Sequence, residues 1–188
     1  MDNGAIVYSR YICGDNSAFD EIIELYQDNL IWFINGYVNN PLLAEELAED
    51  TFAELIVHKK RFKQKSSLKT YIFSIARNKA IDFLRHSGKY KYFNSTIGED
   101  DIEDFENLED KVLKKEKMQR VREGLEKLND DYKRIIHLIY FEDLSQAEAA
   151  KVLGKNKKQT DNLIYRAKKA LKDALEKEGF SYENFWRI

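Results

Sequence analysis

Lys157, Lys158, Asp161, Asn162, Tyr165, Arg166 and Lys169 fall on one face of a single helical stretch near the C-terminal end of this 188-residue chain. Side chains of these types at this spacing do not make or break bonds. They bind nucleic acid: lysine and arginine neutralise phosphates, and asparagine or arginine can form paired hydrogen bonds with a base edge. The segment that carries them, Leu144 to Arg166, has the parts of a helix-turn-helix. Ser145 and Glu148 have the spacing of a capping box, Ala150 and Gly154 lie four apart where two helices would touch, and Leu153, Leu163 and Ile164 supply apolar contacts. Asn156 caps the second helix. Lys155 and Thr160 depart from the motif, standing where apolar residues are common. An ordinary helical hairpin is the plain alternative; the coincidence of cap, alanine, glycine and basic helix favours DNA binding.

A second basic region runs from Lys59 to Arg85. It places Lys63, Lys65, Ser66 and Ser67 in a polar connection, then Arg77, Asn78, Asp82 and Arg85 along one side of a helix. Alone it reads equally well as a solvated face. A third signal is the acidic helix Ala44 to Phe52, with Leu47 and Phe52 as apolar anchors. Alone it reads as an acid-rich helix start matched to the helix dipole. Catalysis has no comparable support. His58, His86 and His137 sit in different elements without ligand spacing, and no phosphate-cradling glycine loop or nucleophile elbow occurs. The sequence predicts no catalytic residue, no cofactor and no metal site.

The elements that must position these residues are helical. Apolar residues at helical spacing predict helices over Asp15 to Gly36 (with Ser17 as cap), Leu42 to His58, Leu68 to about His86, Val112 to Leu128, Asp130 to Phe141, Ser145 to Leu153, and Asn156 to about Lys177. Asn39-Asn40-Pro41 marks a stop and a new start. No segment alternates with period two, and the single Pro and 8 Gly argue against a turn-rich β fold. The predicted fold is all-α: two small helical domains joined by an acidic flexible linker, the second a four-helix domain with the helix-turn-helix. The boundaries are 1–92 for the first domain, 93–111 for the linker, 112–178 for the second domain and 179–188 for a tail. That tail holds Phe180, Tyr182, Phe185 and Trp186, and is expected to dock, either across the C-terminal helices or on a partner.

Charge is segregated although the net charge is only −2. Residues 1–56 carry 11 acids and one base, residues 57–92 carry 11 bases and one acid, residues 93–110 carry 8 acids and no base, and residues 151–172 carry 8 bases and one acid. Two basic blocks on separate amphipathic helices point to a polyanion gripped at two places. Single Cys13 excludes an internal disulfide, and neither a signal peptide nor a membrane span is apparent, so the expected location is the cytoplasm.

GDNSAFDEIIELYQDNL, AEELAEDTFAELI and SLKTYIFSIARNKAIDFLRH resemble the first domain of bacterial RNA polymerase sigma factors of the extracytoplasmic-function (ECF) group. LEKLNDDYKRIIHLIYFEDLSQAEAAKVLGKNKKQTDNLIYRAKKALK resembles their second domain, in the same order and with a linker between. The resemblance implies a dissociable initiation subunit that binds core RNA polymerase, recognises the −10 and −35 promoter elements and promotes melting without chemistry of its own. It implies that Glu46, Leu47, Glu49, Asp50 and Phe52 dock on the clamp-helix coiled coil. Lys63, Lys65, Ser66 and Ser67 would capture a flipped base, Arg77, Asn78, Asp82 and Arg85 would face the −10 element, and Lys157, Lys158, Asp161, Asn162, Tyr165, Arg166 and Lys169 the −35 element. Implied partners are core RNA polymerase (clamp helices and flap), promoter DNA and an anti-sigma factor, with no membrane insertion. A helix-turn-helix repressor would leave the first domain idle, and a protein adaptor would leave both basic faces unexplained. The connection from Gly88 to Lys111, about 24 residues, reaches about 80 Å fully extended. Promoter elements about 25 base pairs apart are separated by about 85 Å. The linker is therefore stretched when both sites are engaged, its acids held either in a basic channel of the polymerase or simply solvated. In the free chain the acidic 1–56 and 93–110 segments are expected to fold back on the basic faces, or an anti-sigma factor to cover them.

Overall fold

A computed structural model of the chain describes residues 3–88 and 124–177. All regular structure among the described residues is helical. The expected linker and aromatic tail, and most of the helix expected over Val112 to Leu128, lie outside them.

The first domain contains α1 (Asn3–Ile12), α2 (Ser17–Val38), α3 (Pro41–Val57) and α4 (Leu68–His86). The sequence reading assigns no element before Asp15, so α1 is new. It packs Val7, Tyr8 and Tyr11 inward and is pinned to α2 by Arg10, whose guanidinium lies 2.7 Å from Asp15 and 2.9 Å from Glu21. Ser17 is not the cap of α2. Asn16 holds that position without a side-chain cap, and the Ser17 hydroxyl donates to Asp15 Oδ1 at 2.6 Å. The turn into α3 is as expected. Asn39 ends α2 in the left-handed region at φ 52°, and Asn40 Oδ1 accepts from Leu43 N ahead of Pro41 in the first turn. Ile22, Leu30, Phe33 and Ile34 of α2 meet Leu55 of α3 and Leu68, Ile72 and Phe73 of α4 in a core closed to solvent.

The second domain contains α5 (Asp130–Ile136), a π-helical turn (His137–Phe141), α6 (Gln146–Leu153) and α7 (Lys157–Lys177). The single helix expected over Asp130 to Phe141 is thus two kinds of helix in series: Glu142 N donates to His137 O, five residues back, at 3.0 Å. The expected capping box at Ser145 and Glu148 is formed on both sides. At Gly124 a Cβ would lie 3.1 Å from Leu175 Cδ2, so the backbone there packs directly on α7. The small residue buried in α6 is Ala149, while Ala150 is half-buried. Tyr132 and Ile139 are half-buried at the rim of the core. Arg134 and His137 are instead among the most buried residues, each 2% exposed.

Candidate nucleic-acid interface

The first turn of α7 is open. Asn156 Oδ1 accepts from Gln159 N at 2.9 Å and Gln159 Oε1 accepts from Asn156 N at 3.0 Å, so side chains satisfy the helix start. Ile164, Ala167, Leu171 and Leu175 face inward with Thr160. The Thr160 hydroxyl donates to Asn156 O at 2.9 Å, which lets a polar residue occupy a position usually apolar. Of the residues expected to face DNA, Lys157, Lys158 and Lys169 are exposed, and Asp161, Asn162, Tyr165 and Arg166 are half-buried along the adjoining strip. Phosphate-neutralising groups therefore flank groups able to read a base edge.

The basic connection before α4 is propped by α1, a support that the sequence reading missed. The Tyr8 hydroxyl donates to Lys59 O at 2.9 Å, and the Phe62 ring packs 5.4 Å from Tyr8 and 5.1 Å from Tyr71. Burial pushes the Tyr8 hydroxyl up to about 12, with Tyr71 and Tyr11 adding to it, so it stays a donor at any ordinary pH. The signal was the Tyr8/Tyr11 pair, which makes sense only once its distant partners are known. Gln64 turns the chain at φ 55°. Lys63 and Lys65 stand exposed, and Ser66 and Ser67 are half-buried. Further along α4, Asn78, Asp82 and Arg85 are exposed, with Arg85 Nη1 3.1 Å from Asp82 Oδ1.

The start of α4, unlike that of α7, is covered by the other domain. Ser67 caps α4, accepting from Thr70 N, and its hydroxyl donates to Glu148 Oε1 at 2.9 Å. Thr70 Oγ1 donates to the same oxygen at 3.1 Å. Burial raises Glu148, but hydrogen bonds from Ser145, Ser67 and Thr70 outweigh it and hold the carboxyl below its usual range. Lys69 Nζ donates to Glu142 O at 2.7 Å and lies 3.2 Å from Glu142 Oε2. Glu142 is 2% exposed, and burial raises its carboxyl against the pull of Lys69. His137 Nε2 lies 3.5 Å from Glu142 Oε1, and its ring stacks on Trp32 at 4.3 Å. Arg134 donates to Gly36 O at the end of α2, pairs with Asp131, and lies 4.1 Å above the Tyr37 ring. Arg77 fits under the turn of the helix-turn-helix: a Cβ at Gly154 would lie 2.9 Å from its Nη2, and Gly154 is at φ 63°, so glycine is needed there twice over.

The acidic face of α3 requires a correction. Glu46, Glu49 and Asp50 are exposed, but Leu47 and Phe52 are 8% and 6% exposed and belong to the core. Residues that repeat at helical spacing against α2 and α4 cannot also serve as surface anchors. The exposed apolar groups of α3 are Leu42, Ile56 and Val57, one at its start and two at its end.

Among the described residues no cluster of His, Cys, Asp and Glu has the makings of a metal site, and no helix is long and apolar enough to cross a membrane. Residues 8–90 match the family description Sigma-70 region 2, and residues 118–171 match Sigma-70, region 4. The chain is 28% identical to the ECF RNA polymerase sigma factor SigM of Bacillus subtilis, over 88% of this chain and 99% of that one. It is 25% identical to the ECF sigma factor SigW of the same organism, over 86% and 91%. Among solved structures it is similar to the sigma factor RpoE of Bartonella quintana, solved in complex with the anti-sigma factor NepR. The TM-score is 0.60 at 22% identity, covering 84% of this chain and 96% of that one. It is similar also to CnrH in complex with the cytosolic domain of CnrY, with a TM-score of 0.60 at 21% identity, covering 92% and 97%. With region 2 and region 4 in order on one chain, and ECF sigma factors matched along nearly their whole length, the chain belongs to the ECF group of RNA polymerase sigma factors.

Proposed function

We propose that this sigma factor joins core RNA polymerase through the exposed acids of α3, Glu46, Glu49 and Asp50, and reads a promoter at two separated places. Lys63, Lys65, Ser66 and Ser67 with Arg77, Asn78, Asp82 and Arg85 serve the −10 element. The outer strip of α7, from Lys157 to Lys169, serves the −35 element. The observation that carries the reading is the pairing on one chain of two basic helix starts with a helix, α3, whose acids Glu46, Glu49 and Asp50 face solvent. DNA is bound by the first two and repelled by the third, as an assembly on a separate protein requires. Melting needs no bond chemistry from this chain: a base leaves the stack at a cost of a few kcal/mol, offset by pocket contacts and phosphate neutralisation. The working unit is cytoplasmic, takes no cofactor, divides at residues 92–93 and 111–112, and is open to an anti-sigma factor on either domain. Run-off transcription with purified core polymerase on fragmented genomic DNA tests it. Initiation at a defined motif that depends on both proteins is expected. Sequence-specific binding to a palindrome without polymerase would replace this reading with that of a repressor.

A further inference from the structure

Lys63, Gln64 and Lys65 stand exposed between two anchored ends. At one end Ser67 caps α4. At the other, Arg61 N donates to His58 O at 2.8 Å, and the Arg61 guanidinium lies 3.2 Å from Glu54 of α3. Among the described residues no backbone–backbone hydrogen bond engages 62–66. The path of this loop is therefore set by side chains, and α1 supplies them. The Tyr8 hydroxyl donates to Lys59 O, a carbonyl beyond the last turn of α3, where helix hydrogen bonds have run out. The Phe62 ring stands edge-on to Tyr8. Lys59 Nζ lies 5.7 Å from the centre of the Tyr11 ring, and the Gln64 amide reaches Ser9 Oγ at 3.5 Å. Behind these groups, Tyr11 packs 5.0 Å from Phe19 of α2, and Arg10 ties α1 to Glu21. A line of contact thus runs from α2 through α1 to the loop. Packing alone would need only the ring of Tyr8. At 2% exposure its hydroxyl is tolerated because it has a partner, and that partner belongs to the loop.

We propose that Tyr8 is a positioning residue for −10 selectivity: its hydroxyl on Lys59 O, with the Phe62 ring beside it, holds the loop in one shape, so that α1, without contacting DNA, sets how strictly a base is chosen. The proposal rests on the reading of Lys63 to Ser67 as the part that meets the −10 element. A loop held in one shape accepts the base that fits it and rejects the others. A loose loop re-forms around several bases, so preference falls further than total binding.

The test uses holoenzyme assembled from the full chain and core polymerase, on a promoter obtained from the run-off reactions. Its −10 element is randomised in one template library and its −35 element in another, and the transcripts are sequenced. In Tyr8→Phe, which keeps the ring and removes the hydroxyl, preference at −10 is expected to fall about two- to tenfold, the range spanned by one neutral hydrogen bond. Preference at −35 and co-purification with core should stay at the parent level. Tyr8→Leu, which also removes the ring beside Phe62, should lose more −10 preference; Tyr8→Phe carries the test should Tyr8→Leu fail to fold. A residue that only packs gives a different split, with Tyr8→Phe selecting as the parent does and Tyr8→Leu lowering the urea midpoint alone. Parent −10 preference in Tyr8→Phe would overturn the proposal, as would equal losses at −10 and −35. Lys63→Ala with Lys65→Ala tests the loop itself and should lower output from all templates. Lower output there, with unchanged preference in Tyr8→Phe, would overturn the positioning role and leave the loop's contact with DNA standing. Output indifferent to both lysines would overturn that contact.

Discussion

The starts of α4 and α7 are built alike and used differently. Each is a basic helix with a side-chain cap, Ser67 in one and Asn156 in the other. At α7 the cap is closed by a neighbour three residues on, so the turn is complete without help and its lysines face solvent. At α4 the cap hydroxyl reaches across to Glu148, 81 residues away in sequence. A basic helix start is therefore not a binding surface by virtue of composition. What decides is whether its donors are satisfied locally or by a distant acid that must leave first.

The contrast breaks most completely at Arg134. Its guanidinium is buried against Gly36 O, Asp131 and the Tyr37 ring, and these acceptors lose their partner in Arg134→Ala. Loss of about 3 kcal/mol is expected from charged hydrogen bonds of this kind, read as a lower urea midpoint. The seam between α2 and α5 would then no longer hold α4 covered, and the two helix starts would behave alike. Next in size, Glu46→Arg with Asp50→Arg should abolish co-purification with core polymerase while leaving the unfolding free energy within about 0.5 kcal/mol of the parent, as for exposed sites. Retained binding would remove α3 from the docking surface.

At α7 the comparison is sharpened by separating its two kinds of contact. Asn162→Ala should cost about 1–3 kcal/mol at one base position and leave the salt dependence unchanged. Lys158→Ala should weaken all sequences together and reduce the salt slope by about one. Both are read from binding to a randomised −35 library at several salt concentrations, and an exchange of the two outcomes would put the wrong residue in the groove. The smallest effect is at the Glu148 bridge. Its carboxyl is held below the ordinary range in the closed chain, so its contribution is complete above that range and is lost as pH falls through the depressed value. Acidification should destabilise closure in the parent, and Glu148→Gln should lack that component. Glu142, shifted the opposite way, favours closure as pH falls toward its ordinary value, so the test is run with Glu142→Gln as the common background.

Local features were legible in the sequence. The Asn40-Pro41 start, the Ser145/Glu148 box and the Asn156 cap each depend on residues within a turn or two of each other, and each is formed. Features set by distant partners were not. Val7, Tyr8 and Tyr11 signal a helix only once α2 and Lys59 are in place. The burial of Arg134 and His137 follows only from Gly36, Tyr37 and Trp32, brought to them from the first domain. Leu47 and Phe52 illustrate a different difficulty. Their spacing speaks for the core, and resemblance drew them into a docking role that their burial excludes.

The π-helical turn at His137–Phe141 acts as a phase shifter. Each α-helical residue advances the direction of its side chain by about 100°, so residues five apart ordinarily diverge by about 140°. The widened turn narrows that divergence, which brings His137 and Glu142 toward one side and lets Glu142 reach Lys69. Chain length in this short stretch is thus a coordinate of the whole molecule. Deleting Ile139 would return the segment to ordinary helix and leave helical content intact. It would also swing everything beyond it, cap and recognition helix included, out of register with α4. Substitutions in the turn can be absorbed one side chain at a time, whereas a single insertion or deletion there would reset how the two domains face each other.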